Sequence, residues 1–250
     1  MKQTSSMDFL RGSIKPIYFK YLGAAFGSSL IASIYGIVDL AVVGQYHGPE
    51  GTAAISVVSP LWNIIYSLGL LMGIGGSVLF STLRGESEEN TKRSNEFFSA
   101  ALIGGIVLAL LVWLSVILFD QQLLTLFGAN ETLLPLARAY VAPIKFVVPV
   151  FLFNQFLSAF LRNDGNPDLA TKAVLCGGIF NVFGDYFFTF TLDMGIRGAG
   201  LATAIGSTFS LLVMLTHFFS RKNTIALVKP QNVMKKLKAI RSRETVYKTL

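Results

Sequence analysis

Charge is scarce in this chain: 14% of its 250 residues are Asp, Glu, Lys or Arg, where a soluble domain carries about a quarter. Cysteine is nearly absent. Cys176 stands alone, which excludes an intrachain disulfide and a thiolate metal cluster, and the two histidines, His47 and His217, lie too far apart in sequence to form a ligand pair. There is no Walker loop, GxSxG elbow or HExxH helix, so the chain does not read as an enzyme and implies no cofactor beyond a simple ion. No small-residue cleavage site follows a short apolar core near the N-terminus, so a removable signal peptide is not expected. The net charge of +7 is not interleaved with exposed aromatics, which argues against nucleic acid and for lipid headgroups.

What the chain has instead is long apolar runs. Hydrophobic residues make up 52% and the mean hydropathy is +0.58. Runs of about 20 residues recur throughout, the length that crosses a bilayer as a helix. The pattern predicts an all-α membrane protein with six spans, about 16–44, 54–82, 96–119, 138–161, 169–191 and 198–220. Residues 1–220 form the bundle on this reading, and 221–250 form a basic cytoplasmic tail or linker. The mildly amphipathic stretch 120–136 reads as a short interfacial helix, and RNDGNPD (162–168) as a tight turn with Asn166-Pro167 opening the next helix. Pro60, Pro143 and Pro149 fall at or inside spans, where bends are expected.

Orientation follows from the basic residues. Counting Lys and Arg by side gives 18 with the termini, the second-to-third loop and the fourth-to-fifth turn, against Arg138, Lys145 and Arg197 opposite. The positive-inside rule then puts both termini in the cytoplasm of a cell-membrane protein.

Two aspartates sit within the apolar spans: Asp39 in the first and Asp185 in the fifth, while the other acidic residues fall in segments that read as loops or termini. A carboxylate at membrane depth costs a few kcal/mol, so it marks an ion site, a proton carrier or a cation's partner. Both lie about six residues short of an outer span end, roughly 9 Å deep. Asn181 is one turn below Asp185 on the same face, and Thr203 on span six reaches a similar level. These oxygens could ligate a small cation, or one carboxyl could carry a proton. A static ion pair with Lys145, which could alternatively snorkel to the surface, is the rival reading. Asn154, Gln155 and Ser158 on span four read first as interhelical hydrogen-bond groups.

VDLAVVGQY (38–46), FLRNDGNP (160–167), NVFGDYFF (181–188) and MGIRGAGLATAIGS (194–207) together resemble the N-terminal half of the multidrug and toxic compound extrusion (MATE) family. The resemblance covers about residues 8–230 and implies one six-helix lobe of a twelve-helix transporter. It implies antiport of Na⁺ or H⁺ against small, usually cationic organic substrates. It also implies a cation site made of Asp39, Asn181, Asp185 and Thr203, with a span-four ligand at either Asn154 or Ser158. Since family members have twelve spans, the chain reads as a fragment or as a half-size protein that pairs with a second bundle. Two other readings stay open: a lipid-linked oligosaccharide flippase, which would use a basic cavity, and a non-transporting truncated membrane subunit.

Overall fold

The computed structural model describes residues 14–86 and 90–231, and among them every regular element is a helix. The elements are α1 (Ile14–Glu86), α2 (Thr91–Leu126), α3 (Leu133–Ile144), α4 (Val148–Asn163), α5 (Pro167–Tyr186) and α6 (Ile196–Leu215). Helices suit such apolar sequences because each backbone N–H and C=O is satisfied within its own segment. Expectations for the basic residues of 1–13 and 232–250 fall outside the described residues.

The 73 residues of α1 do not form one rod. Gly48 has φ 66° and ψ −155°, a backbone region open almost solely to glycine, and Pro49 follows as a helix-starting residue. The two arms, 14–47 and 49–86, fold back on each other: a Cβ at Gly51 would lie 2.9 Å from the carbonyl oxygen of Val43. At their far ends, Ser28 of the first arm and Arg84 of the second both reach the α4–α5 region, bonding Thr171 at 3.2 Å and Asp164 at 3.2 Å. The arms are therefore antiparallel, and the bundle has a Gly48 end and an Asp164 end. α3 and α4 run on from one another through a tight turn, Lys145–Val147. Among the described residues, five helical stretches are long and apolar enough to cross a membrane, and the hairpin in α1 makes six passes of them.

Proline explains the bend between α3 and α4. Pro149 has no N–H for the carbonyl of Lys145 four residues earlier. Trp113 of α2 supplies the missing donor, its Nε1 lying 2.8 Å from that oxygen. The bend is thus held from outside as well as caused from within.

The short helix expected over 120–136 is confined to residues 120–126, set off from the rest of α2 by the non-helical backbone of Phe119. Residues 120–126 continue α2 beyond a local break at Phe119, and α3 begins at Leu133. Asp120 keeps the stretch attached to the bundle, accepting from Arg138 Nε at 3.2 Å and Lys145 Nζ at 3.5 Å. Asn130 then starts the next helix, its Oδ1 accepting from the amides of Thr132 and Leu133. Lys145 therefore pairs with Asp120 rather than with Asp39 or Asp185.

α5 and α6 approach backbone to backbone. A Cβ at Gly177 would sit 2.6 Å from the carbonyl oxygen of Gly206, and one at Gly206 would sit 2.7 Å from that of Gly177. Such an approach needs glycine on both helices. At the Gly48 end, the first arm is tied to the α5–α6 connection. Tyr46 donates its hydroxyl to Asp193, and His47 Nε2 accepts from the amide of Ile196 at 3.2 Å. At the Asp164 end, residues 221–228 pack across the bundle instead of leaving it. Asp164 accepts from Arg84 at 3.2 Å, from the Thr224 amide at 3.0 Å and from the Thr224 hydroxyl, and contacts His217 Nε2 at 2.7 Å. Ile225 is buried among Phe98, Leu157 and Met214, and the amides of Ala226 and Val228 donate to Asn95 and Ser99.

Candidate functional site: a buried carboxylate pair

Four elements converge in the half of the bundle nearer Gly48. Asp39 comes from the first arm of α1, Tyr140 from α3, Asn181 and Asp185 from α5, and Thr203 from α6. Asp39 is 6% exposed and Asp185 fully buried. The Asn181 amide nitrogen is the hub: it lies 3.4 Å from Asp39 Oδ1, 3.4 Å from Asp185 Oδ1 and 3.1 Å from the Thr203 hydroxyl. The second oxygen of Asp39 accepts from Tyr140 at 3.0 Å and from Thr203 at 3.3 Å. One α-helical turn between Asn181 and Asp185 sets them on one face, and the close α5–α6 approach brings Thr203 alongside. Sequence spacing placed these residues at a shared depth, and the fold brings Asp39, Asn181, Asp185 and Thr203 into mutual contact.

Asn154 stands apart. Its Nδ2 donates to the carbonyl of Ser207 at 2.9 Å, one turn along α6 from Thr203, and it reaches neither carboxylate through a hydrogen bond. Its Oδ1 is buried without a partner, and it shares with Asn181, Thr203 and Ser158 the wall of a cavity of about 280 Å³. The basic residue lining that cavity is Arg162; Lys145 does not line it.

Tyr140 was not evident from sequence. With span four starting at 138, it lay at the surface. With α3 starting at Leu133 it lies seven residues in, about 10 Å deep, level with Asp39.

Among the described residues no Lys, Arg or His pairs with Asp39 or Asp185. Asp185 Oδ2 and Asn181 Oδ1 are buried acceptors with no hydrogen-bond donor. Two carboxylates, an amide oxygen and two hydroxyls form a hard oxygen set of the kind that suits a small cation. No cluster of three or more His, Cys, Asp or Glu that could hold a metal ion exists among the described residues.

The MatE family model matches residues 24–187, a range that carries Asp39, Tyr140, Asn181 and Asp185. The chain belongs to the MatE family. The family consists of membrane transporters rather than enzymes. The Multidrug export protein MepA of Staphylococcus saprophyticus is 28% identical over 199 residues, covering 80% of this chain and 44% of that protein. Its Staphylococcus aureus counterpart is 28% identical over 210 residues, covering 82% of this chain and 46% of that protein. Among solved structures, a MATE protein in its bent conformation superposes with a TM-score of 0.81 at 22% identity, over 91% of this chain and 50% of that one. The outward-facing form of a multidrug resistance MATE transporter gives 0.78 at 22% identity, with the same coverage of both chains. The chain spans about half the length of the curated relatives it matches. The fold is that of one MatE lobe.

Proposed function

We propose that this MatE lobe is the cation-coupling half of a multidrug efflux antiporter. In this reading Na⁺ or H⁺ binds at Asp39, Asn181, Asp185 and Thr203, with Tyr140 as a further oxygen, and its binding drives small, mainly cationic organic compounds outward. The observation that carries the reading is the uncompensated pair: two buried carboxylates without a cationic partner among the described residues. Two adjacent ionised carboxylates out of water are too costly to persist bare, so a proton or a metal cation completes them. The export named for the MepA relatives supports the substrate class. A second six-helix bundle is the proposed partner, since each solved relative contains about twice this length.

The Gly48 end faces outside in this proposal. Arg84, Lys92, Arg93, Arg162, Lys172, Arg221 and Lys222 belong to the Asp164 end, and Arg138, Lys145 and Arg197 to the other. A cysteine at Glu50 would then react with an impermeant thiol reagent in intact cells, while one at Ser220 would be shielded.

The decisive experiment places Asp39→Asn and Asp185→Asn in a complete transporter containing this lobe. Either change should abolish Na⁺- or H⁺-driven dye efflux from proteoliposomes and leave membrane insertion intact. Normal ion-driven efflux in both variants would remove the pair from the coupling mechanism.

A further inference from the structure

The cavity that opens onto Asn181 and Thr203 at one end has an arginine at the other. Arg162, in the last turn of α4, lines it together with Ser28, Ser29, Tyr66 and Ser158. Its Nη2 donates to Ser28 Oγ at 3.1 Å, while Nε is buried and has no acceptor among the described residues. No carboxylate among the described residues pairs with it. Asp164, two positions on, is taken by Arg84, His217 and Thr224, and Asp168 is paired with Lys20 at 3.1 Å. The C-terminal end of α4 favours a cation at this position, yet it leaves the Nε donor unmet.

A guanidinium presents parallel N–H donors in a rigid fork, and a partly buried one with no carboxylate partner is matched by a planar or tetrahedral oxyanion. The surroundings fit the rest of an amphiphile. Leu70 and Ile74 of the second arm continue the cavity wall, and Ile74 and Tyr66 are exposed at its rim. We propose that the Arg162 end of the cavity binds the phosphate-type oxyanion head of an amphiphile. The guanidinium grips the head beside Ser28, and the apolar tail lies along Leu70 and Ile74. The cavity would thus be bipolar, with carboxylates beyond one end and a guanidinium at the other. The assignment does not depend on the cation reading.

The test uses the full chain, purified in a neutral maltoside detergent and stripped of lipid. Three probes are titrated by calorimetry: dihexanoyl phosphatidylglycerol, dihexanoylglycerol with the same tails and no phosphate, and inorganic phosphate. The phosphatidylglycerol should bind saturably and dihexanoylglycerol much more weakly. Arg162→Gln should weaken phosphatidylglycerol binding on the order of tenfold or more, the weight of a charge-assisted hydrogen-bonded contact. Arg162→Lys, which keeps the charge but loses the fork, should fall between, and Asp120→Asn, at a residue that does not line the cavity, should leave this binding unaltered. Saturable, Arg162-dependent binding of inorganic phosphate, with no gain from the tails, would assign free phosphate rather than lipid as the source of the oxyanion. Absence of binding by both phosphate probes, or binding indifferent to Arg162→Gln, overturns the site. Should Arg162→Gln fail to fold, Ser29→Trp blocks the exposed mouth with the arginine in place; undiminished binding there overturns the site equally. Because Asp39 and Asp185 are probed by efflux and Arg162 by anion binding, either proposal can fail without the other.

Discussion

The packing of Gly200 against Tyr140 links backbone fit to the carboxylate site, and replacing Gly200 with alanine tests that link. A Cβ at this position would sit 2.1 Å from the Tyr140 carbonyl oxygen, 3.0 Å from its carbon and 3.1 Å from Pro143 Cγ. Two of the three atoms belong to backbone, so no rotamer change relieves the contact. A carbon needs about 3.3 Å from a carbonyl oxygen, so α3 must retreat by about 1.2 Å. Carried to the side chain, that shift breaks the 3.0 Å bond from Tyr140 to Asp39. Overpacking costs about 1–3 kcal/mol and the lost bond to a buried carboxyl about 1.5 more, against a gain of up to about 1 for alanine over glycine in a helix. The expected net loss is about 2–4 kcal/mol. Reversible unfolding in mixed SDS and maltoside micelles measures it. Gly36→Ala and Gly75→Ala are the controls, because nothing lies within 4 Å of a Cβ at either position. Tyr140→Phe isolates the hydrogen-bond share. A Gly200→Ala variant within about 0.5 kcal/mol of the controls, the scatter of innocuous substitutions, would refute the argument.

Gly48→Ala should cost about 1–3 kcal/mol in the same assay, purely from its φ of 66° and ψ of −155°, since its added Cβ would touch nothing. Asp120→Ala should cost about 1–2 kcal/mol once the 47% exposure of Arg138 and 24% of Lys145 are discounted, and Lys145→Met should recover part of that in a double-mutant cycle. Asp164→Asn removes the charge that gathers Arg84, His217 and Thr224, so trypsin should cut after Arg221 or Lys222 on the order of tenfold faster; an unchanged rate would mean residues 221–228 are held by Ile225 and the bonds to Asn95 and Ser99 without Asp164.

The features legible in sequence were those set by composition and helical period. Apolar runs of bilayer length gave the helical membrane class, and depth arithmetic put Asp39, Asn181, Asp185 and Thr203 at one level because rise per residue is nearly constant in a helix. What escaped was decided by tertiary partners. Asp120 looked like a loop residue, since nothing local reveals that Arg138 and Lys145 close over it. Misplacing the start of α3 by five residues then hid Tyr140, because a depth argument is only as good as its starting point. By charge, 221–228 reads as part of a basic cytoplasmic tail or linker, yet a buried Ile225 and the side-chain acceptors Asp164, Asn95 and Ser99 dock it. Arg162 was assigned to topology; its place in the cavity depends on how the first arm of α1 crosses α4.

The packing also separates the two aspartates mechanically. Asp185 rides on α5, whose backbone meets that of α6 at Gly177 and Gly206, leaving no slack for sliding without clash. Asp39 rides on the first arm of α1, where a Cβ at Gly23 or Gly36 meets nothing within 4 Å and the side chains of Phe19, Phe26 and Ile37 are exposed. What holds the first arm at the level of the site is side chains rather than backbone: the bonds from Tyr140, Asn181 and Thr203 to Asp39, with Ile31 and Tyr35 packed against Gly178 and Val43 buried in the core. Near Gly48 the contacts of Tyr46 and His47 anchor its end. On the cation reading, a proton or cation between Asp39 and Asp185 would change their repulsion into attraction, and the first arm, which meets α5 there through side chains and not backbone, is the member expected to respond. On the cation reading, occupancy of the site is therefore converted into position of the first arm, the element that also carries Ser28 to the Arg162 end of the cavity.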